Sequence, residues 1–169
     1  FLLLIALLGA GVWRICAILR MVPALHWRAI LGSAGWTLGR VLLSTMLGTL
    51  WALPAGLAIG LSPRLSRVFQ PVVQVVASFP APMLFPAVIA ALRALGVGLG
   101  WGSVLLMLLG TQWYILFNVI AGAMVIPADL LEASKAYRLT RWERLRGVYG
   151  PAVFTYLVTG WVTAAGGAW

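Results

Sequence analysis

The sequence predicts an all-α protein, a polytopic bundle of transmembrane helices with one helical loop on its cytoplasmic side. Hydrophobic residues make up 63% of the chain and charged residues 9%, whereas soluble domains carry about 25% charged residues. The apolar residues form long runs, and the strongly polar residues gather in one internal loop. The runs are too long and too uniformly apolar for the alternating strands of a membrane barrel.

Five apolar runs approach the 20 or so residues that a transmembrane helix needs. The first run lacks the basic start and the cleavage site of a signal peptide, so we predict a spanning or interfacial helix there. We expect the chain to be a piece of a longer protein, because it begins without Met and its last run is cut at the end of the sequence. The runs cover residues 1–22, 36–61, 71–95, 103–126 and 148–169.

The connections between these runs set the predicted topology. Residues 23–35 form an interfacial link, residues 62–70 a short turn, residues 93–102 a glycine-rich turn and residues 127–147 a polar loop. The short turn at 62–70, which holds Arg64 and Arg67, should lie on the same side of the membrane as the polar loop, because two spanning runs separate them. Placing both in the cytoplasm puts seven basic residues inside, which agrees with the positive-inside rule.

We divide the chain into two parts on this basis. Residues 1–35 hold the first apolar helix and the interfacial link. Residues 36–169 form a core that is truncated in its last run and contains the polar loop at 127–147.

Composition excludes several kinds of chemistry. The net charge of +9 comes from basic residues between and at the ends of apolar runs, so positive-inside topology explains it better than nucleic-acid binding. One Cys and one His cannot form an internal disulfide or a His/Cys zinc site. The only lysine, Lys135, follows Ser134 rather than glycine, so a Walker A loop is excluded. We predict no cofactor, no metal site and no catalytic residue, and any ATPase must be another chain or domain.

The second run carries small residues at four-residue spacing: Gly48, Ala52, Gly56 and Gly60. This stripe lies on one helix face and predicts close packing against another helix. Pro54 in the same run removes one backbone donor and can kink the helix.

The third run contains three prolines within seven residues, Pro80, Pro82 and Pro86, which a regular helix tolerates poorly. Irregular backbone at membrane depth survives only where it is buried in protein or lines a watery cavity. We therefore predict that this stretch, with Gln74 and Ser78 one to two turns earlier, either lines a translocation pathway or packs tightly.

The fourth run carries the polar residues Thr111, Gln112 and Asn118. Interhelical hydrogen bonds are favoured for them over contact with a transported solute. No acidic residue lies inside any run, which argues against a proton or sodium relay built on a buried carboxylate.

The polar loop contains two pairs with capping-box spacing, Asp129 with Glu132 and Thr140 with Glu143. We expect one short helix to begin just after Asp129 and to lie on the cytoplasmic surface. A second helix should begin at Arg141 and continue into the last apolar run. Such a pair of helices can transmit a displacement from outside the membrane to the spanning helices. The alternative interpretation is a solvated loop bound to lipid headgroups.

At this loop the sequence resembles the permeases of binding-protein-dependent ABC importers. Their cytoplasmic signature reads E-A-A, three residues, G, and later a Leu-Pro pair. The segment Glu132-Ala133-Ser134 corresponds to its opening, and Pro151 lies nineteen residues after Glu132, at the spacing of the family's proline. Residues 139–144, 60–64 and 78–86 resemble the nitrate/sulfonate/taurine branch, and residues 78–83 and 158–169 resemble its duplicated anion-type permease most closely.

Two positions depart from the signature. Arg138 stands where the family has glycine, and Gly150 stands where it has the leucine of the Leu-Pro pair. Glycine normally permits a left-handed cap after the first helix. We expect Arg138 to close that helix differently or to adjust the turn, which leaves the strength of ATPase docking open.

The resemblance implies a MetI-like permease, a multi-pass protein of the bacterial inner membrane that transports a small solute such as nitrate or a sulfonate. Implied partners are an ABC ATPase subunit that hydrolyses the ATP, a periplasmic solute-binding protein, membrane lipid and a second permease unit, present as a homodimer or a fused half. The alternatives are a non-transport membrane scaffold and half of a secondary transporter. The residues implied to couple to the ATPase are Asp129, Glu132, Ala133, Ser134, Lys135, Arg138, Thr140, Arg141 and Glu143. The residues predicted along the translocation pathway are Gln74, Ser78, Pro80, Pro82, Pro86, Gln112 and Asn118.

Overall fold

The structure, a computed structural model, describes residues 1–168, without the side chains at positions 24 and 25. The described residues form helices and no strand, which confirms the all-α prediction. Trp169, the end of the last predicted run, lies outside the described residues. The helices are α1 (Leu2–Arg20), α2 (Ala24–Gly60), α3 (Pro63–Ser78), α4 (Ala81–Ala94), α5 (Leu99–Met124), α6 (Ala128–Ala136), α7 (Arg141–Arg144) and α8 (Gly150–Ala168), with a π-helical turn at Leu145–Tyr149.

Three of the described helices are long and apolar enough to cross a membrane: α1, the part of α2 from His26 to Gly60, and α5. The pair α3 and α4 would add a fourth crossing if it forms one broken span, and its two helices meet at a bend of 75°. Helix α8 does not reach the same mean hydropathy because its 19 residues include four glycines and three threonines.

The structure divides into two compact units, Phe1–Leu38 and Gly39–Trp169, with the boundary inside α2. In the first unit, α1 buries none of its side chains among the described residues. The division of the chain at residue 35 that the sequence suggested stays a prediction.

Two connections predicted as links or turns are helical. Residues 24–35 belong to α2, which continues unbroken past Pro54 to Gly60. Residues 63–70 open α3, because the Ser62 hydroxyl accepts a hydrogen bond from Leu65 N at 3.4 Å and Pro63 occupies the first helical position. A serine N-cap followed by proline is a strong start signal, so the chain enters α3 two residues after α2 ends.

The core of the second unit forms where α2 and α8 each approach α5 closely. Ala52 is fully buried, and a Cβ atom at Gly56 would lie 2.7 Å from Val119 Cγ1. On the α8 side, a Cβ at Gly160 would lie 3.1 Å from Ile115 Cα. The small-residue stripe of α2 therefore packs a helix, as its spacing predicted.

The proline-rich stretch breaks the helix at only one place. Helix α3 ends at Ser78, Pro80 is the N-cap of α4, and Pro82 lies in the first turn of α4, where its missing N–H costs no hydrogen bond. The prediction of irregular backbone is confirmed for residues 79–80. It is wrong for Pro82 and Pro86, since both are helical and Pro86 forfeits a single bond to the Pro82 carbonyl.

Candidate functional site

The first candidate site is the polar segment of residues 128–149, called here the capped segment because short-range hydrogen bonds close its helices. Its first helix, α6, begins at Ala128 after the N-cap residue Pro127, and no side chain caps this end. The capping box predicted for Asp129 and Glu132 is therefore wrong. Asp129 lies in the first helical turn instead, where a carboxylate still interacts favourably with the helix dipole.

The C-terminal end of α6 closes as a Schellman motif around Arg138. Leu139 N donates to Ser134 O at 3.1 Å, and Arg138 N donates to Lys135 O at 2.9 Å. Arg138 has φ +52°, the left-handed conformation that glycine adopts at this position in other helices. The expectation that arginine would close the helix differently is wrong, because Arg138 accepts the backbone strain and keeps the usual closure.

The second helix of the segment begins with the predicted capping box. The Thr140 hydroxyl accepts a hydrogen bond from Glu143 N at 3.3 Å, and the Glu143 carboxylate accepts from Thr140 N at 2.7 Å and from the Thr140 hydroxyl at 2.8 Å. The bond from the Thr140 backbone, followed by that from its hydroxyl, lowers the pKa of Glu143. Arg144 Nε donates to Leu139 O at 2.9 Å and ties the turn to the helix that follows it.

The helix that starts at Arg141 continues through a π-helical turn into α8, as predicted. In this turn Gly150 N donates to Leu145 O, five residues earlier. A proline ring crowds the carbonyl four residues before it, so a widened turn ahead of Pro151 relieves that clash. A Cβ atom at Gly150 would lie 2.8 Å from Leu145 O, which explains why glycine stands where the signature has leucine.

Most of the side chains assigned to coupling are exposed, but Ser134 is not. It is only 3% exposed, and its hydroxyl donates to Leu131 O at 2.7 Å. The Ser134 side chain faces the protein and is not part of the outer surface of α6. Ala133 is half-buried. The exposed residues of the predicted set are Asp129, Glu132, Lys135, Arg138, Thr140, Arg141 and Glu143.

The second candidate site is a cavity of about 700 Å³ at the break between α3 and α4. Of the residues predicted for a pathway, Ser78, Pro80 and Pro82 line it together. The opposite wall comes from α5, at residues 103–114, and from the end of α8 at Gly167. Gln74, Pro86, Gln112 and Asn118 lie outside this lining, and their role in a pathway stays a prediction.

Two of the three polar side chains that the sequence analysis named in α5 bond to their own helix. Thr111 Oγ1 donates to Met107 O and Asn118 Nδ2 donates to Tyr114 O, each at 2.8 Å. Among the described residues, Thr111 and Asn118 do not form the expected interhelical hydrogen bonds, because a carbonyl four residues earlier in the same helix lies within reach.

A hydrogen bond between α8 and α2 is among the interhelical contacts that no sequence pattern predicted. Trp161 Nε1 in α8 donates to the Thr49 hydroxyl in α2 at 2.8 Å, and Thr49 Oγ1 donates in turn to Thr45 O at 2.7 Å. The two partners are 112 positions apart, and no local spacing indicates that they meet.

Residues 44–169 match the family described as "Binding-protein-dependent transport system inner membrane component". Over 133 residues the chain is 25% identical to the nitrate import permease protein of Leptolyngbya laminosa and 25% identical to the bicarbonate transport system permease protein of Synechocystis sp.. It is 30% identical over 142 residues to the trimethylamine N-oxide transport system permease protein of Ruegeria pomeroyi.

These matches cover 79% of this chain in each case. They cover 46% of the nitrate and bicarbonate proteins and 20% of the trimethylamine N-oxide protein. The chain thus spans less than half the length of the relatives that it matches.

Proposed function

We propose that this chain, which belongs to the family of binding-protein-dependent transport system inner membrane components, is a permease unit of an ATP-driven importer. The unit contributes part of the route by which a small solute crosses the membrane. The ATP is hydrolysed by a separate ATPase subunit, a periplasmic binding protein delivers the solute, and a second permease unit completes the pathway.

The capped segment is the observation that carries this proposal. Its two short helices are closed by hydrogen bonds at the Schellman motif around Arg138 and at the Thr140–Glu143 box. Helical backbone then continues from Arg141 to Ala168 and packs along α5, where a Cβ at Gly122 would lie 2.9 Å from Tyr156. A displacement of α6 and α7 by a docked ATPase would therefore reach the helices of the bundle rather than dissipate in a flexible loop.

A small oxygen-bearing anion is the solute that we propose. The first residues of α4 line the cavity at the helix break, so the positive end of that helix dipole lies at the cavity. The three acidic residues of the chain are Asp129, Glu132 and Glu143, and none of them is among the described residues that line this cavity. Two of the relatives are named for nitrate and bicarbonate, which are small oxyanions. The third is named for trimethylamine N-oxide, a neutral zwitterion with one oxygen, and agrees only with a small solute.

A cysteine crosslink between the capped segment and the ATPase tests the proposal. In a Cys16→Ser background, Lys135→Cys places a thiol on the exposed side of α6, and Ser134→Cys provides a matched control on its buried side. We expect Lys135→Cys to crosslink to the cleft of the cognate ATPase with a yield that depends on nucleotide, and Ser134→Cys to remain unlinked. No crosslink from Lys135→Cys, in membranes that contain both proteins, would contradict ATPase docking and favour a scaffold.

A further inference from the structure

Helix α3 presents three different faces, although most of the chain is uniformly apolar. Its buried face carries Ser66 and Val73. A second face is exposed and apolar, and it includes Val68, Val72 and Val75, which is 72% exposed. The third face is exposed and polar. Its polar members are Arg64, Arg67, Gln74 and Ser78, which follow the three-and-four spacing of a single helix stripe on which the apolar Pro71 also lies.

The polar face runs from the cavity to one end of the bundle. At its far end, Ser78 lines the cavity together with Met107 and Thr111 of α5. Midway along α3 and beside the stripe, Gln70 Nε2 lies 2.9 Å from the sulfur of Met124, the last residue of α5. Helix α3 has 16 residues and is about 24 Å long, which exceeds half of the roughly 30 Å thickness of the hydrocarbon core of a bilayer.

Basic side chains mark the near end of this stripe. Arg64 and Arg67 are both exposed. Arg67 also lines a recess of about 350 Å³ together with Gln70 and Met124. This end lies where α5 leads into the capped segment, so it is the end predicted to be cytoplasmic.

A lipid-facing stripe would not need polar residues, because lipid cannot satisfy their hydrogen bonds. The exposed valines of α3 already supply a face suited to lipid. In the part of the chain that the structure describes, the Gln74 amide makes no side-chain hydrogen bond, and Ser78 Oγ donates only to Val75 O at 2.7 Å. A water-filled path along residues 64–78 would satisfy the groups of this stripe.

We propose that the polar face of α3 lines the cytoplasmic exit of the solute from the cavity, and that Arg67, with Arg64 beyond it, makes this exit selective for anions. The proposal rests on the proposed function, because it assigns a route to the solute of that permease. Arg67 and Arg64 attract an anion toward the cytoplasmic mouth and repel cations. Because both side chains are exposed, water competes for the anion there, and they release it rather than retain it.

Thiol accessibility in the assembled transporter tests this route. The transporter, with its ATPase, is placed in inside-out vesicles in a Cys16→Ser background, so that its cytoplasmic side faces the reagent. Gln74→Cys is compared with Val75→Cys, the adjacent residue on the apolar exposed face. The probes are two impermeant thiol reagents of similar size, one bearing a sulfonate and one bearing a quaternary ammonium group.

We expect Gln74→Cys to react at least about tenfold faster than Val75→Cys, since a thiol facing lipid is not reached by a charged reagent. After correction for reactivity with a free thiol, the sulfonate reagent should react with Gln74→Cys about tenfold faster than the ammonium reagent. Arg67→Gln should reduce this ratio severalfold, and Arg67→Lys should preserve it.

Transport by the Cys16→Ser parent separates the possible failures. If the parent transports and Gln74→Cys is as unreactive as Val75→Cys, or if Arg67→Gln leaves the reagent ratio unchanged, the exit route is overturned while the permease function stands. If the assembled parent hydrolyses ATP without moving any small anion, the proposed function fails and the exit route fails with it.

Discussion

The bundle of α2, α5 and α8 and the capped segment at 128–149 are held by different forces. In the bundle, helices approach where side-chain atoms are missing, as at Gly56 beside Val119 and Gly160 beside Ile115. In the capped segment, hydrogen bonds between residues three to five positions apart set each turn. The bundle should therefore lose stability when atoms are added at its glycines, whereas the capped segment should lose stability when its caps are removed.

The largest effect is expected in the bundle. Gly56→Leu would bring a side chain against Val119, where even a Cβ lies 2.7 Å from Cγ1, and should lower the free energy of unfolding by about 3 kcal/mol. Gly39→Leu, on the same helix but with no heavy atom within 4 Å of its Cβ position, is the control. Thermal unfolding of the purified protein in detergent should separate the two variants, and equal midpoints would contradict close packing of α2 on α5.

The next effect lies where the two regions join, at the π-helical turn. Gly150→Leu restores the leucine of the family signature but places a Cβ 2.8 Å from Leu145 O, a backbone atom that cannot rotate away. We expect a loss of about 2 kcal/mol in stability and fewer solutes moved per ATP. Gly147→Leu, whose Cβ meets no atom within 4 Å, should leave both quantities close to those of the parent.

A smaller effect is expected at the cap of α7. Thr140→Ala removes the capping box and should cost about 1 kcal/mol, whereas Thr140→Ser keeps the hydroxyl and should cost little. Crosslinking of Lys135→Cys to the ATPase should weaken in the alanine variant only. Equal crosslinking in the alanine and serine variants would show that this cap does not position the segment.

The capping box also predicts a dependence on pH. The pKa of Glu143 is lowered in the folded protein, so the carboxylate contributes stability above the pKa of an unfolded glutamate, and this contribution is lost as the pH falls through the lowered value. Acidification below about pH 4 should therefore loosen α7 in the parent and have less effect in Thr140→Ala. Hydrogen exchange at residues 141–144 measures this difference.

The smallest effect compares two helix ends that close alike. After α4, Val97 N donates to Leu92 O at 2.9 Å around Gly96, which has φ +72°, and Arg138 occupies the same position after α6. Arg138→Gly should stabilise the protein by about 0.5 kcal/mol, and Gly96→Arg should destabilise it by a similar amount, because the greater unfolded-state entropy of glycine partly offsets the cost of a left-handed side-chain residue. If Arg138→Gly gains stability but loses ATPase crosslinking, the guanidinium contributes to docking. If Arg138→Gly does not raise the stability, the left-handed backbone of Arg138 does not destabilise the folded protein.

Features that depend on neighbours in the sequence could be predicted. The apolar runs, the break beside Pro80 and the Thr140–Glu143 box follow from residues only a few positions apart, so one short window contains the information. The box at Asp129 was wrong because Pro127 is the N-cap of α6, which begins at Ala128. Residues 24–35, expected as part of a link between two runs, are helical and open α2.

By itself, the sequence determined an all-helical membrane protein with a small-residue stripe on α2 and a permease-like polar segment. The tertiary structure alone decided that this stripe packs on α5, that Ser134 turns inward and that Trp161 finds Thr49. The tertiary structure also shows that the exposed apolar face of α3 differs from its exposed polar face, which leads to the cavity. The physical reason is that caps and breaks are satisfied within one or two helical turns, whereas burial depends on helices that meet from distant parts of the chain.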